Sequence, residues 1–277
     1  VAQGAAKEGG LDVILKQDGE INHAVRSIKW PGLAAVEVSL VTIHKGAWVG
    51  LSTLNGRLVN QINSYLDDHI SNGNPVVLLS NAKKSFQGSI LLGQGFLMDE
   101  ASANQIIKDF PEYNKVLFPC YNGHDINNRI DQSASRWGIN FFDWPKEKAM
   151  EYPLCFEIVE QKVLAERSLS NTKKLAKGGK LNNDDLKKVE QYWNYLRPRS
   201  ELYDTIGDLD RVLCLALTSK TLAFTFAGTN VIFSHALGVF AFDTYSAFAI
   251  LQSTIHNQWA WKYSSSMKGD LRYTPTG

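Results

Sequence analysis

Cysteine is scarce in this chain: three occur in 277 residues, Cys120, Cys155 and Cys214. They are far apart and odd in number, which excludes a disulfide framework and a C-x-x-C metal site. Each lies in an apolar neighbourhood, where cysteine serves as a small buried hydrophobe. The chain therefore reads as intracellular, with a cytoplasmic location expected. An excess of one charge is also lacking: 29 Lys and Arg stand against 28 Asp and Glu, a net charge of +1. No global field draws an anionic partner, so nucleic-acid contact has to come from local basic patches. No uncharged apolar run approaches the ~20 residues of a membrane span. The stretch 231–255 is broken by His235, Gly238, Asp243 and Gln252, and reads as strand, turn and helix. Neither a signal peptide nor a membrane partner is expected. Phosphate-loop, H-E-x-x-H and G-x-S-x-G motifs are missing. So is an initial Met: the chain starts at Val1 and stops at Gly277, as expected of a piece of a longer protein.

What is present is globular material, 44% apolar and 21% charged, long enough for two domains. AAVEVSLVTI (34–43) predicts a strand. Leu58, Ile62 and Leu66 stand at helical spacing and predict a helix through 54–70. PVVLLS (75–80) reads as a strand and NAKKSFQG (81–88) as a polar loop. Three glycines in GSILLGQGFLM (88–98) predict a bent extended segment. A helix is expected from Asp99 to Pro111, then strands at 115–119 and 137–142 with a long polar loop, 122–136, between them. Helix is expected again at 154–168, then a flexible basic loop at 170–180, then a helix capped by Asn183. Residues 211–242 read as β-structure. Asp243 is the expected cap of a closing helix with Phe248, Leu251, Ile255 and Trp259 on one face. The fold class expected is mixed α/β.

Two loop clusters gather basic and amide groups. Asn81, Lys83, Lys84, Ser85 and Gln87 form one. Lys173, Lys174, Lys177 and Lys180 form the other. Arg136, Lys220, Lys268 and Arg272 are single candidates. Lys and Arg neutralise phosphates, while Asn, Gln and Arg match base edges bidentately. The same residues on a solvated loop need no partner. His124, Asp125 and Asp131 are the material of a rival reading, a metal-dependent hydrolase or nuclease. Against it, neighbouring loop side chains point apart, and Asn and Asp there commonly bond their own backbone. Trp259, Trp261 and Tyr263 offer either a stacking platform or core packing at the end of an apolar helix.

Four stretches stand in a fixed order: IKWPGLAAVEVSLVTIHKG, KSFQGSILLGQGFLMDEASANQII, VLFPCYNGHDINNRIDQSASRWGINFFDWP and ILQSTIHNQWAWKYSSSMKGDLRYTPTG. Together they resemble the C-terminal part of large bacterial N6-adenine DNA methyltransferases of restriction-modification and related defence systems. The type is MmeI-like, with methyltransferase and target recognition in one polypeptide. The resemblance covers nearly the whole chain.

The resemblance implies a doubly wound catalytic domain that binds S-adenosylmethionine, with an active motif Asn/Asp-Pro-Pro-Tyr/Phe. This chain has eight prolines and no two are adjacent, so that motif is missing. No catalytic residue, metal or cofactor is expected here; S-adenosylmethionine would belong to the parent enzyme, upstream of Val1, as would a nuclease where the family has one. By resemblance, residues 1–50 are the last strands of the catalytic sheet, 51–242 a target recognition domain, and 243–277 a closing helical segment. The turn after RVLCLALT is where base-reading side chains would project, which places Ser219, Lys220 and Thr221 near DNA. Leu222 stands where the family often has a polar residue. The expected DNA contacts are Asn81, Lys83, Lys84, Ser85, Gln87, Arg136, Lys173, Lys174, Ser219, Lys220 and Thr221. The expected partners are double-stranded DNA and the upstream methyltransferase domain, with one adenine flipped for reaction. A protein-interaction module of a defence complex is the other reading.

Overall fold

A two-residue turn organises the first sheet. The computed structural model describes residues 6–34, 36–69, 75–76, 78–267 and 269–274. Strands β1 (Gly19–Lys29), β2 (Glu37–Lys45), β3 (Ser52–Leu54) and β4 (Arg57–Val59) form a sheet in the order β2-β1-β3-β4. Between β3 and β4, Asn55 and Gly56 both have positive φ, 50° and 80°, the type I′ geometry that Asn-Gly favours. This corrects the helix predicted through 54–70, whose last residue, Ile70, lies outside the described residues. The helical spacing was coincidental: Ile62 and Leu66 are buried, but Leu58 is 69% exposed. Strand β2 falls where 34–43 predicted one. Strand β1 was not foreseen. Its register slips between Ile21 and His23 and between Val25 and Ile28, and such bulges break the alternation that marks a strand in sequence.

The register gives this sheet two unlike faces. Ile21, Ala24, Leu54 and Val59 pack with Leu11, Ile62 and Leu66. The opposite face carries Val25 beside Leu40 and Thr53 beside Leu58, and Leu40 is 56% exposed there.

No strand forms among the described residues of 75–80; Val77 lies outside them. Leu79–Asn81 is a 3-10 turn instead. The predicted polar loop at 81–88 supplies strand β5 (Ser85–Gln87). The remaining strands are β6 (Leu97–Met98), β7 (Leu117–Tyr121), β8 (Arg136–Ile139), β9 (Arg211–Ala216), β10 (Thr218–Ser219), β11 (Thr225–Gly228), β12 (Ile232–Phe233), β13 (Leu237–Phe240), β14 (Ser265–Met267) and β15 (Asp270–Arg272). They build three sheets, ordered β12-β7-β8-β6, β11-β9-β13-β5 and β10-β15-β14. The chain is thus mixed α/β.

Strand β9 shows why a continuous apolar run can be a strand. Val212, Cys214 and Ala216 pack on Leu202 and Ile206 on one side. Leu213 and Leu215 pack on Phe224 and Phe240 on the other. Alternate side chains enter different cores, so no polar face is needed. All three cysteines are buried, and burial pushes their thiols up to about 12.

The helices differ in places from the sequence pattern. Glu100–Asp109 is capped by Asp99, which accepts from the Ser102 N–H at 2.8 Å. Pro153–Val159 continues through a π turn, Glu160–Leu164, into the helix Ala165–Ala176. That helix replaces most of the predicted basic loop at 170–180. Just past its end stands Gly178, φ 75°, where the N–H groups of Gly178 and Gly179 donate to the carbonyls of Leu175 and Lys174 at 2.9 and 3.0 Å, a glycine C-terminal cap. The helix Asn183–Glu190 is capped by Asn182 rather than Asn183. The closing helix is two helices, Tyr245–Leu251 and Thr254–Tyr263, capped by Thr244 and Ser253 rather than Asp243. Its predicted stripe breaks at Gln252. Phe248 and Leu251 pack on a core, while Ile255 is 84% exposed. Among the described residues no helix is long and apolar enough to cross a membrane.

Candidate nucleic-acid interface

The long polar stretch at 122–136 is folded, not an open loop. Gly123–Asn128 is a helix with a capping box. The Asn122 side chain accepts from the N–H groups of His124 and Asp125, at 2.8 and 3.3 Å. Asp125 reciprocates: its Oδ2 accepts from the Asn122 N–H at 3.0 Å, and its Oδ1 from the Ser135 N–H at 3.2 Å. Fully buried, Asp125 ties the two ends of the stretch together. Asp131 accepts from Ser133 and Arg129. His124 is exposed. Among the described residues no three His, Cys, Asp or Glu side chains are placed to hold a metal ion. The carboxylates of the rival hydrolase reading are engaged in holding backbone.

This helix sits against the end of β9. A Cβ on Gly123 would meet the Ala216 Cβ at 3.4 Å. At that place a cleft of about 620 Å³ opens. Ser85 and Gln87 of β5, Thr218 of β10 and Arg272 of β15 line it, with Arg199 and His235. Thr218 stands opposite Arg272 in the β10–β15 pair, so the short β10 brings the predicted base-reading turn to the cleft's edge.

Gln87 has both ends of its amide engaged. Its Nε2 donates to the His235 carbonyl at 2.8 Å, and its Oε1 accepts from Arg199 Nη2 at 3.2 Å. Arg199 takes a left-handed backbone, φ 64°, which a non-glycine residue holds at a cost of order 1 kcal/mol. Its Nε is buried without a hydrogen-bond partner. Among the described residues neither Arg199 nor Arg272 has a carboxylate within ion-pair distance. Glu201 also lines the cleft, with its carboxylate 3.9 Å from Lys83 Nζ.

The turn itself is braced. Ser219 Oγ accepts from the Thr221 N–H at 3.2 Å and from Asn127 Nδ2 at 3.3 Å. Lys220 is exposed. Leu222 is buried in the core with Phe224 and Phe240, so its departure from a polar residue has a packing cause.

The other predicted contacts lie elsewhere. Asn81 is exposed at the end of the 3-10 turn. Lys84 Nζ lies 5.6 Å from the Phe242 ring centroid. Arg136 lines a separate groove of about 540 Å³ with Gln94, Asp99 and Lys162. Lys173 is exposed on its helix, while Lys174 pairs with Asp185 at 2.5 Å. Lys188 also pairs with Asp185, at 3.0 Å. The Lys174 hydrogen bond, with help from the Asn182 N–H and Lys188, holds the Asp185 carboxyl well below the usual range. Lys268 lies outside the described residues. Trp259 and Trp261, expected in the core, are 40% and 39% exposed. Sequence reasoning missed Arg199, which lies in no periodic pattern and whose left-handed corner carries no glycine or asparagine to announce it.

No protein-family model matches the chain, and no curated protein sequence does. A solved structure does match: the type IIL restriction-modification enzyme MmeI in complex with DNA. The chain is similar in fold to part of MmeI. The TM-score is 0.70 over 99% of this chain, at 19% sequence identity. The chain spans 36% of the MmeI chain. With that coverage, the MmeI likeness takes in both the N-terminal sheet and the body that holds the cleft. It agrees with the restriction-modification resemblance read from the four sequence stretches.

Proposed function

We propose that this chain is a DNA target recognition region of an N6-adenine methyltransferase of the restriction-modification type. The observation that carries the reading is the fold match, over essentially the whole chain, to an enzyme solved on DNA. In this reading a rigid β scaffold presents short loops to the duplex. Ser219, Lys220 and Thr221 meet base edges. Asn81, Lys83, Lys84, Ser85, Arg136 and Lys173 meet the phosphate backbone. Lys174 joins them only by leaving Asp185.

S-adenosylmethionine belongs, in this reading, to a catalytic domain of the same polypeptide. The residues present do not fit it. The N-terminal sheet is antiparallel except for the β1–β3 pair, whereas the family's cofactor domain is a doubly wound sheet. Exposed Leu40 and Leu58, on the two edge strands of the N-terminal sheet's outer face, support docking of such a domain there.

The test is equilibrium binding of the chain to duplex DNA across salt. Each phosphate neutralised contributes about 0.9 to the slope of log K against log salt, so affinity should fall steeply between about 50 and about 200 mM salt. With labelled S-adenosylmethionine the chain should transfer no methyl group to DNA. Salt-independent binding, or methyl transfer by this chain alone, would overturn the reading.

A further inference from the structure

The cleft beside the 218–221 turn has a composition that recognition of base edges does not require. Two guanidinium groups, from Arg199 and Arg272, line it together with one carboxylate, Glu201, which lies 3.9 Å from Lys83 Nζ; neither guanidinium is ion-paired among the described residues. Arg199 keeps a buried Nε without an acceptor, and an unmade bond to a buried donor costs about 1–3 kcal/mol. Its backbone is strained at φ 64°. An anion in the cleft would give both guanidinium groups a counter-charge. Gln87, a residue whose type suits base reading, has its amide committed to Arg199 and His235, and so is occupied in aiming the guanidinium.

We propose that this cleft seats a phosphodiester of the DNA backbone between Arg199 and Arg272, with Gln87 as the positioning residue for Arg199. The proposal rests on the DNA-recognition reading and deepens it. Phosphate contacts fix register and bases specify. Thr218 lines the cleft and Ser219 follows it in β10. A phosphate held here therefore sets how the Ser219–Thr221 turn meets the adjacent base pairs. Guanidinium suits the task because its planar fork matches phosphate oxygens.

The experiment measures binding of the full chain to a labelled duplex over a salt series, for wild type and four variants. Arg199→Gly removes the guanidinium while keeping a residue at ease in the left-handed corner. Arg272→Gln alters an exposed strand residue. Each is expected to weaken all duplexes alike and to flatten the log–log salt slope by about 0.9, the share of one phosphate. Gln87→Glu keeps an acceptor for Arg199 but cancels its charge, and should flatten the slope as Arg199→Gly does. Gln87→Ala should weaken binding without changing sequence preference. Wild-type slopes in both arginine variants, or in Gln87→Glu, would overturn the assignment, as would an altered preference in Gln87→Ala. Titration with inorganic phosphate separates the sources. Saturable phosphate binding lost in Arg272→Gln, with an unchanged DNA slope, would make the cleft a free-phosphate site and sink the backbone assignment. If wild type binds no duplex, the recognition reading falls as well; if it binds and only the variants disagree, the cleft assignment falls alone.

Discussion

Arg167 and Arg199 carry the same guanidinium into two different settings. Arg167 is 2% exposed and donates to the carbonyls of Leu91, Leu92, Lys188, Gln191 and Asn194. Burial draws its pKa down to about 10, and its hydrogen bonds run to uncharged oxygens. It ties the bend at 91–92 to the segment that follows the helix Ala165–Ala176. Arg199 has one side-chain acceptor, Gln87, and an open cleft beside it. The first arginine is fully used by the fold. The second has a single side-chain acceptor and lines a cleft a ligand can enter. Lysines divide in the same way: Lys174 pairs with Asp185, while Lys220 stands exposed on a braced turn. Charge alone therefore does not mark a site; the acceptors around it do.

The comparison breaks most readily at Arg167. Arg167→Ala removes the donor of five carbonyls, that of buried Leu91 among them, and should lower unfolding free energy by about 3 kcal/mol or more, read by urea titration. An unchanged midpoint would mean the clamp holds nothing. Lys220→Ala, on the opposite side of the comparison, should leave the midpoint alone and relax preference at one base pair by about 1–3 kcal/mol, measured against a panel of single-substituted duplexes. Uniform loss across the panel would remove Lys220 as a reader. A smaller and uniform loss of affinity is expected from Lys83→Ala, since Lys83 is exposed and only 3.9 Å from Glu201 and a phosphate contact carries no sequence information.

The smallest expected effect is on acid stability. Asp185 is held below its ordinary value of 3.8, first by Lys174. A depressed carboxyl stabilises the fold above its unfolded pKa and loses that contribution as pH falls through the folded value. Wild type should thus lose stability as pH drops below about 4, and Asp185→Asn should be flatter in that window. Equal slopes in acid unfolding would show that the pair contributes nothing.

Strands in the body were legible where their chemistry is one-sided or continuous, as in β7 and β9. The capped helix at 100–109 was legible because Asp99 announces it. Elsewhere local pattern misled. Leu58, Ile62 and Leu66 imitate a helical stripe, yet Asn55-Gly56 turns the chain into a hairpin. Lysines at 173–180 suggested a loop, yet two of the four, Lys173 and Lys174, ride on the helix Ala165–Ala176. The candidate site was half legible. Ser85, Gln87 and the 219–221 turn were named from composition and resemblance. Their convergence depends on pairings between distant strands, β5 with β13 and β10 with β15, which no local window contains. Arg199 depends on a left-handed corner between Pro198 and Ser200, and nothing in that tripeptide predicts it.

Selection of duplexes from a randomised pool tests the central claim most directly. The account predicts that the chain enriches one short motif and that Lys220→Ala changes or erases preference within it. Binding that persists with no motif enriched would contradict target recognition by this chain.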